Sequence, residues 1–139
     1  MGAPEVWMPG GLRVEVQLTG VDTGGAFCLL VDHPVAGWGL PPHRHAAEAE
    51  TIHAVEGTYA MEVGGRSFEL GPGETAHVPA GVLHSGRLLG PGPGRRVVLF
   101  SPAGMEAFFL EAGAPGPDVP VDLPAMLAVA RRHGWDFSG

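Results

Sequence analysis

The sequence predicts an all-β barrel followed by two short helices, and three observations support this fold class. Apolar and polar residues alternate with the period of two that is typical of half-buried strands, as at residues 14–18. Glycine (23 residues) and proline (14 residues) separate such runs at intervals of about eight to twelve residues. After Pro102 the pattern changes to helix-forming residues. We therefore expect one domain over residues 1–139, with the barrel at about 12–101 and a helical extension at about 102–139.

Eight segments have the length and composition of strands. They span residues 14–18, 26–31, 52–55, 59–63, 66–70, 75–79, 84–89 and 96–101. The Gly64-Gly65 pair separates two of them, which predicts a tight hairpin with positive φ angles. A stretch rich in Gly and Pro at 37–42 predicts a loop. Two helices are predicted beyond the barrel, at residues 105–110 and 125–132, ended by Gly113 and Gly134.

Composition and charge exclude several classes of function. The eight basic residues are all arginine, fifteen acidic residues outnumber them, and the formal net charge is −7, so we expect no nucleic-acid partner. Residues 1–11 lack the basic and apolar segments of a signal peptide, and no run approaches the roughly eighteen apolar residues of a membrane span. This predicts a cytoplasmic protein with no membrane partner. The single Cys28 lies in an apolar run, where it is expected to be buried.

His43 and His45 are the first candidate metal ligands. They are two residues apart, so on an extended strand both imidazoles point to the same face. Glu50 follows at an odd offset and would face away on a continuous strand. A bend within 46–49 is therefore required, after which Glu50 begins the next strand and points back toward the pair.

A third imidazole, His84, arrives from a separate strand after the turn at Pro79 and Gly81. Three nitrogens and one carboxylate oxygen suit a divalent Fe, Mn, Ni, Co, Cu or Zn ion. In an octahedral arrangement two coordination positions would stay open, as a catalytic metal requires.

These residues fall into two motifs that resemble those of the cupin superfamily. The first consists of Gly37, His43, His45, Glu50 and Gly57, with five, one, four and six residues between them. The second consists of Gly73, Pro79, Gly81 and His84, with five, one and two residues between them. The resemblance covers about residues 12–101 and implies a double-stranded β-helix, or jelly-roll, barrel.

The resemblance also implies that His43, His45, Glu50 and His84 are the ligands of one divalent transition metal. The alternative is a barrel that has lost its metal. Glu48 competes with Glu50 as the acidic ligand, but the motif spacing favours Glu50.

The second motif departs from the family at Leu88, where the family usually has Asn. Parity with His84 places Leu88 on the ligand face, which predicts a more apolar pocket. Ile52 shares the face of Glu50 and is also expected to line the pocket. Trp38 either lines the pocket mouth or packs in the core. His53 and His77 are expected to have structural roles.

The C-terminal residues 101–109 and 132–137 resemble the tails of small bacterial cupins grouped with quercetin 2,3-dioxygenases. This resemblance implies a dioxygenase whose small-molecule substrate is a flavonol or similar enol. Glu50 would be the catalytic base that takes the hydroxyl proton, and dioxygen would be the second substrate.

Two other functions stay open. One is a non-redox isomerase, lyase or hydrolase in which the ion is only a Lewis acid. A polar, sugar-like substrate would need Arg, Asn or Gln in the pocket, and the sequence has no Asn and one Gln. The other is a non-catalytic small-molecule-binding cupin. Apolar strands in so short a chain further predict a homodimer.

Overall fold

A computed structural model describes residues 3–138, in which eleven strands form two antiparallel sheets. The strands are β1 (Glu5–Met8), β2 (Leu12–Leu18), β3 (Cys28–His33), β4 (Gly39–His45), β5 (Ala49–Glu56), β6 (Thr58–Val63), β7 (Arg66–Leu70), β8 (Thr75–Val78), β9 (His84–Leu89), β10 (Arg95–Ser101) and β11 (Trp135–Asp136). The larger sheet has the order β1-β2-β3-β10-β5-β8, and the smaller has the order β11-β4-β9-β6-β7. Together they form the predicted jelly-roll barrel.

The alternating sequence pattern explains which side chains the barrel buries. On β2, Leu12, Val14 and Val16 are buried, and the residues between them are more exposed. On β10, Val98 and Phe100 point inward. The inward faces of both sheets therefore enclose the core and the cavity that leads to the site.

Most predicted strands are confirmed, with three differences. The predicted loop at 37–42 is largely the strand β4, whose residues Pro41 and Pro42 are tolerated because the β4–β9 pairing is interrupted between Leu40 and His43. The strands β1 and β11 were not predicted, because they have only four and two residues, and β11 also depends on the distant strand β4. Gly20–Thr23 forms the short helix α1.

The bend required between His45 and Glu50 is present. β4 ends at His45, and β5 begins at Ala49. The two strands lie in different sheets, so the bend carries the chain across the barrel. This crossing allows Glu50 to face the two histidines.

The C-terminal segment contains two longer helices, α2 (Met105–Ala112) and α3 (Leu123–Arg132). Asp122 caps α3 by accepting a hydrogen bond from the backbone N–H of Ala125. α2 packs against β1, β3 and α3, and α3 also contacts β11. None of the helices described between residues 3 and 138 is long and apolar enough to cross a membrane.

Candidate metal centre

Four buried side chains meet at one end of the barrel interior. One ligand atom from each of His43, His45, Glu50 and His84 lies within 4.8 Å of the others. The exposed fractions of these residues are only 2%, 2%, 7% and 4%, respectively. All four predicted ligands are therefore brought together in a pocket that excludes most water.

Both sheets contribute to this cluster. His43 and His84 are direct cross-strand partners on β4 and β9 of the smaller sheet, and His45 lies two residues further along β4. Glu50 comes from β5 of the larger sheet, where it pairs with Phe100 and Val78. The carboxylate thus approaches the imidazoles from the opposite wall of the barrel.

Backbone carbonyls orient two of the imidazoles. His43 Nδ1 lies 2.8 Å from the carbonyl oxygen of Pro41, and His84 Nδ1 lies 2.9 Å from that of Val82. Since a carbonyl only accepts, each Nδ1 donates, and Nε2 is left as the nitrogen available to the centre. This arrangement is typical of metal-ligating histidines.

His45 has a different environment. Both of its ring nitrogens are buried without a hydrogen-bond partner, although Nε2 lies 3.3 Å from Glu50 Oε1. Glu50 Oε1 is also 3.1 Å from His84 Nε2. A buried polar atom without a partner carries a desolvation cost of about 1–3 kcal/mol. A metal ion among these atoms would supply the missing interaction, so the donor set fits a divalent transition metal.

The protonation states of Glu50 and His43 also suit a cation. Burial raises the pKa of Glu50, but the close contacts and charges of His45 and His84 outweigh burial and bring the pKa well below its usual value. Burial lowers the pKa of His43 to about 4, although its hydrogen bond to Pro41 acts in the opposite direction. At neutral pH the site therefore contains an ionised carboxylate and a neutral His43, the forms that bind metals.

An aromatic stack from the C-terminus supports the histidines. The ring of Trp135 stacks on His43 at a centroid distance of 4.8 Å and meets His45 edge-on at 4.5 Å. Phe137 stacks on Trp135 at a centroid distance of 5.7 Å and lies 5.9 Å from His43. Trp135 Nε1 is held 3.1 Å from the sulfur of Met105. The sequence pattern alone did not predict this support, because β11 is recognisable only through its pairing with β4.

Comparison with known proteins establishes the family. A model of the cupin domain matches residues 30–100, just over half of the 139 residues. This chain belongs to the cupin domain family. The matched region contains all four residues of the cluster.

A curated relative of this cupin is a quercetin 2,3-dioxygenase from Bacillus subtilis, 34% identical over 67 residues. The alignment covers 48% of this chain but only 20% of the relative, so the cupin spans a small part of that protein.

Two solved structures share the fold. An RmlC-like cupin from Shewanella frigidimarina superposes with a TM-score of 0.65 at 22% identity, over 76% of this chain and 88% of the other. Bacillus subtilis oxalate decarboxylase, described with Mn(II) centres, superposes with a TM-score of 0.63 at 19% identity, over 72% of this chain and 28% of the other.

The cluster of this cupin opens into a cavity of about 320 Å³. Apolar side chains form most of the wall, including Val14, Leu30, Val98 and Phe100 from the barrel. Residues of α2, α3 and the C-terminal end complete it, among them Phe108, Met126 and Phe137. A volume of this size accommodates one small ligand.

Of the three residues predicted to line the pocket, one lies on the cavity wall and two do not. Trp38 does lie on the cavity wall and is 4% exposed. Ile52 and Leu88 are instead buried in the core and are not part of the wall. Leu88 is four residues beyond His84, which moves its side chain about 13 Å along the strand. There it packs near Gly57 and Gly92.

The cavity also contains a charged pair that the sequence reasoning missed, Arg96 and Asp32. The sequence does contain a signal for this pair. Arg96 lies an even number of residues from Val98 and Phe100 and therefore shares their buried strand face. Asp32 likewise shares a face with Leu30.

Two further histidines and one acidic residue lie outside the cluster. His53 and His77 hydrogen-bond to the hydroxyl groups of Thr75 and Thr51, at 2.8 and 2.9 Å. Glu48 lies in the bend between β4 and β5 and is not part of the cluster.

Proposed function

We propose that this cupin is a metal-dependent dioxygenase that acts on a small enol, such as a flavonol. The observation that carries the proposal is the convergence of His43, His45, Glu50 and His84 at the end of an apolar cavity, with both nitrogens of His45 lacking a partner. The similarity to a quercetin 2,3-dioxygenase supports the reaction class. Dioxygen is the proposed second substrate.

The proposed ligands are those four side chains, and a bound divalent metal would supply Lewis-acid and redox chemistry at the substrate oxygen. Glu50 serves as the base that accepts the hydroxyl proton of the enol, since it supplies the carboxylate of the cluster. The apolar wall, including Phe100 and Phe108, binds the planar ring system and excludes water. His43 and His84 keep fixed orientations through their carbonyl partners.

Metal analysis of the purified protein, combined with an oxygen electrode, tests this function. Flavonols, catechols and 1,3-diketones are the substrates to screen. We expect Fe, Mn, Co, Ni or Cu at one ion per chain and oxygen uptake with at least one of these classes. Bound metal with no oxygen uptake from any of them would contradict the dioxygenase.

Glu50→Gln and His43→Ala form a matched pair for the role of Glu50. The amide cannot accept the proton, so Glu50→Gln should lower turnover at least a hundredfold and retain metal through the three imidazoles. His43→Ala should lose the metal because it removes a nitrogen ligand. Equal loss of metal in both variants, or full oxygen uptake by Glu50→Gln, would show that Glu50 is not the base.

The second candidate is non-redox catalysis of the isomerase, lyase or hydrolase type. Arg96 and Asp32 favour it, because a guanidinium and a carboxylate in the cavity could bind a polar substrate. Zinc in the purified protein, together with no oxygen uptake, would support this candidate.

We further propose a cytoplasmic homodimer. The outward side chains at the centre of the larger sheet are apolar and only half-buried, among them Leu29, Val31, Val97 and Leu99. A second copy covering them would remove this apolar surface from water. Light scattering should give twice the chain mass of 14.4 kDa, and a mass of 14.4 kDa at micromolar concentration would contradict the dimer.

A further inference from the structure

Arg96 and Asp32 form a buried ion pair on the cavity wall, away from the four candidate metal ligands, which are called the metal cluster below. They are direct cross-strand partners on β10 and β3. Arg96 Nε donates to Asp32 Oδ1 at 3.0 Å, and Nη2 donates to Oδ2 at 2.6 Å. Both residues are 5% exposed, and both line the cavity. This bidentate geometry fixes the plane of the guanidinium.

Two aromatic rings lie close to the guanidinium. The Arg96 Cζ atom lies 4.5 Å from the ring centroid of Trp38 and 5.6 Å from that of Tyr59. Trp38 is itself part of the cavity wall. Since Asp32 accepts from Nε and from one N–H of Nη2, Nη1 is the guanidinium nitrogen that makes no bond to Asp32 and can donate to a ligand. Arg96 is therefore a preorganised donor of the kind that recognises oxyanions.

The ion pair and the metal cluster lie at different depths of one cavity. Arg96 precedes Phe100, the cross-strand partner of Glu50, by four residues. The backbone positions of Arg96 and Glu50 are therefore about 14 Å apart, and both side chains point into the barrel. The stretch between them is apolar and includes Val98 and Phe100. A ligand that spans this stretch would meet an oxygen-binding group at each end.

Stability alone does not account for an ion pair in this position. Replacing a buried ion pair with apolar residues of similar volume is often neutral or stabilising, because burying the pair requires two charges to be desolvated. Elsewhere the cavity wall is lined mainly by aliphatic and aromatic side chains. A charged pair in such a wall is better explained by recognition of a polar group.

We propose that Arg96 is a second substrate anchor, a specificity-determining residue that binds a carboxylate or other oxyanion through Nη1. The substrate class is then an elongated, largely aromatic compound with a chelating hydroxyl-carbonyl group at one end and an anionic oxygen at the other. Asp32 is the positioning residue that orients the guanidinium. This inference rests on the proposed function only in requiring that the substrate occupies this cavity with one end at the metal cluster.

Two matched probes test the anchor, 3-hydroxyflavone and its derivative with a carboxylate on the far end of the phenyl ring. Both carry the same chelating group, so they differ only at the end assigned to Arg96. Dissociation constants are measured on the metal-containing protein under anaerobic conditions, so that neither probe is consumed. We expect the carboxylate probe to bind about tenfold or more tightly, as for a hydrogen bond to a charged group.

The double variant Arg96→Met/Asp32→Leu removes the pair without leaving an unpaired charge, and it should abolish the preference. Arg95→Met is the control, because Arg95 is the adjacent, exposed residue of β10 and pairs with Glu56. It should keep the preference of the unmodified protein.

Equal affinities for the two probes in the unmodified protein overturn the inference, and so does failure of both to bind at millimolar concentration. A preference that persists in the double variant overturns it as well. The oxygen electrode reports separately on the proposed function. A carboxylate preference without oxygen uptake contradicts only the dioxygenase, and oxygen uptake without the preference contradicts only the anchor.

Discussion

Two buried polar groups share one apolar cavity, yet their internal bonding differs. Arg96 and Asp32 satisfy each other through two hydrogen bonds. In the metal cluster, His45 has no hydrogen-bond partner at either ring nitrogen. The two charges of the first group compensate each other without a ligand, whereas the second group lacks an interaction that a cation would provide. The ion pair is therefore expected to matter for folding even without metal, and the cluster to contribute stability mainly when metal is bound.

The largest expected effect is on the ion pair. Arg96→Met should lower the free energy of unfolding by about 3–5 kcal/mol, because Asp32 is left as a buried charge without a partner. Urea unfolding of metal-free protein measures this. The double variant Arg96→Met/Asp32→Leu should recover most of the loss. If the free energy of unfolding of Arg96→Met lay within about 1 kcal/mol of that of the unmodified protein, water would have to reach Asp32.

A substitution in the metal cluster should have the opposite effect on the stability of the metal-free protein. A metal at one hundred times its dissociation constant should stabilise the unmodified protein by about 2.7 kcal/mol. His45→Leu should abolish this gain and raise the stability of the metal-free protein by about 1 kcal/mol, because it removes two unpartnered nitrogens. Thermal unfolding with and without metal measures both quantities. A metal-dependent gain that survives in His45→Leu would show that His45 is not a ligand.

Removing the aromatic ring that supports the metal cluster should have a smaller effect. Trp135→Leu removes the ring that stacks on His43 and contacts His45. We expect metal affinity to fall about tenfold, as for other groups that orient ligands. Competition with a chromogenic chelator measures the affinity. Phe108→Leu is a suitable control, because Phe108 contacts Trp135 and His133 but makes no aromatic contact with His43, His45 or His84. An equal loss in both variants would indicate general loosening of the C-terminal segment.

The smallest effect is expected at the surface. Arg13 forms ion pairs with Glu5 and Glu15 at 2.9 and 3.0 Å, but its side chain is 35% exposed. Arg13→Ala should therefore cost less than about 1 kcal/mol, far less than Arg96→Met. The same urea experiment compares the two arginines. If Arg13→Ala lowered the free energy of unfolding as much as Arg96→Met, burial would not be what makes an ion pair important for stability in this protein.

Residue spacing and the resemblance to the cupin motifs were together enough to predict the cluster. His43 and His45 share a face because side chains alternate along a strand, and the odd offset to Glu50 required the bend that the structure contains. His84 followed from the resemblance to the second cupin motif, and the outward position of His53 followed from parity. Parity is a consequence of short-range geometry, which the linear sequence contains.

The tertiary structure alone decided the composition of the cavity. Leu88 has the predicted inward parity, but it packs in the core near Gly57 and Gly92 and not on the cavity wall, which parity cannot show. Asp32 and Arg96 are 64 residues apart and meet only through the register of β3 on β10. Trp135 reaches the histidines because the chain returns from α3 to pair with β4. Register and return paths depend on packing of the whole barrel, and for this reason the residue pattern and the family resemblance predicted the four candidate metal ligands but not the remaining lining of the cavity.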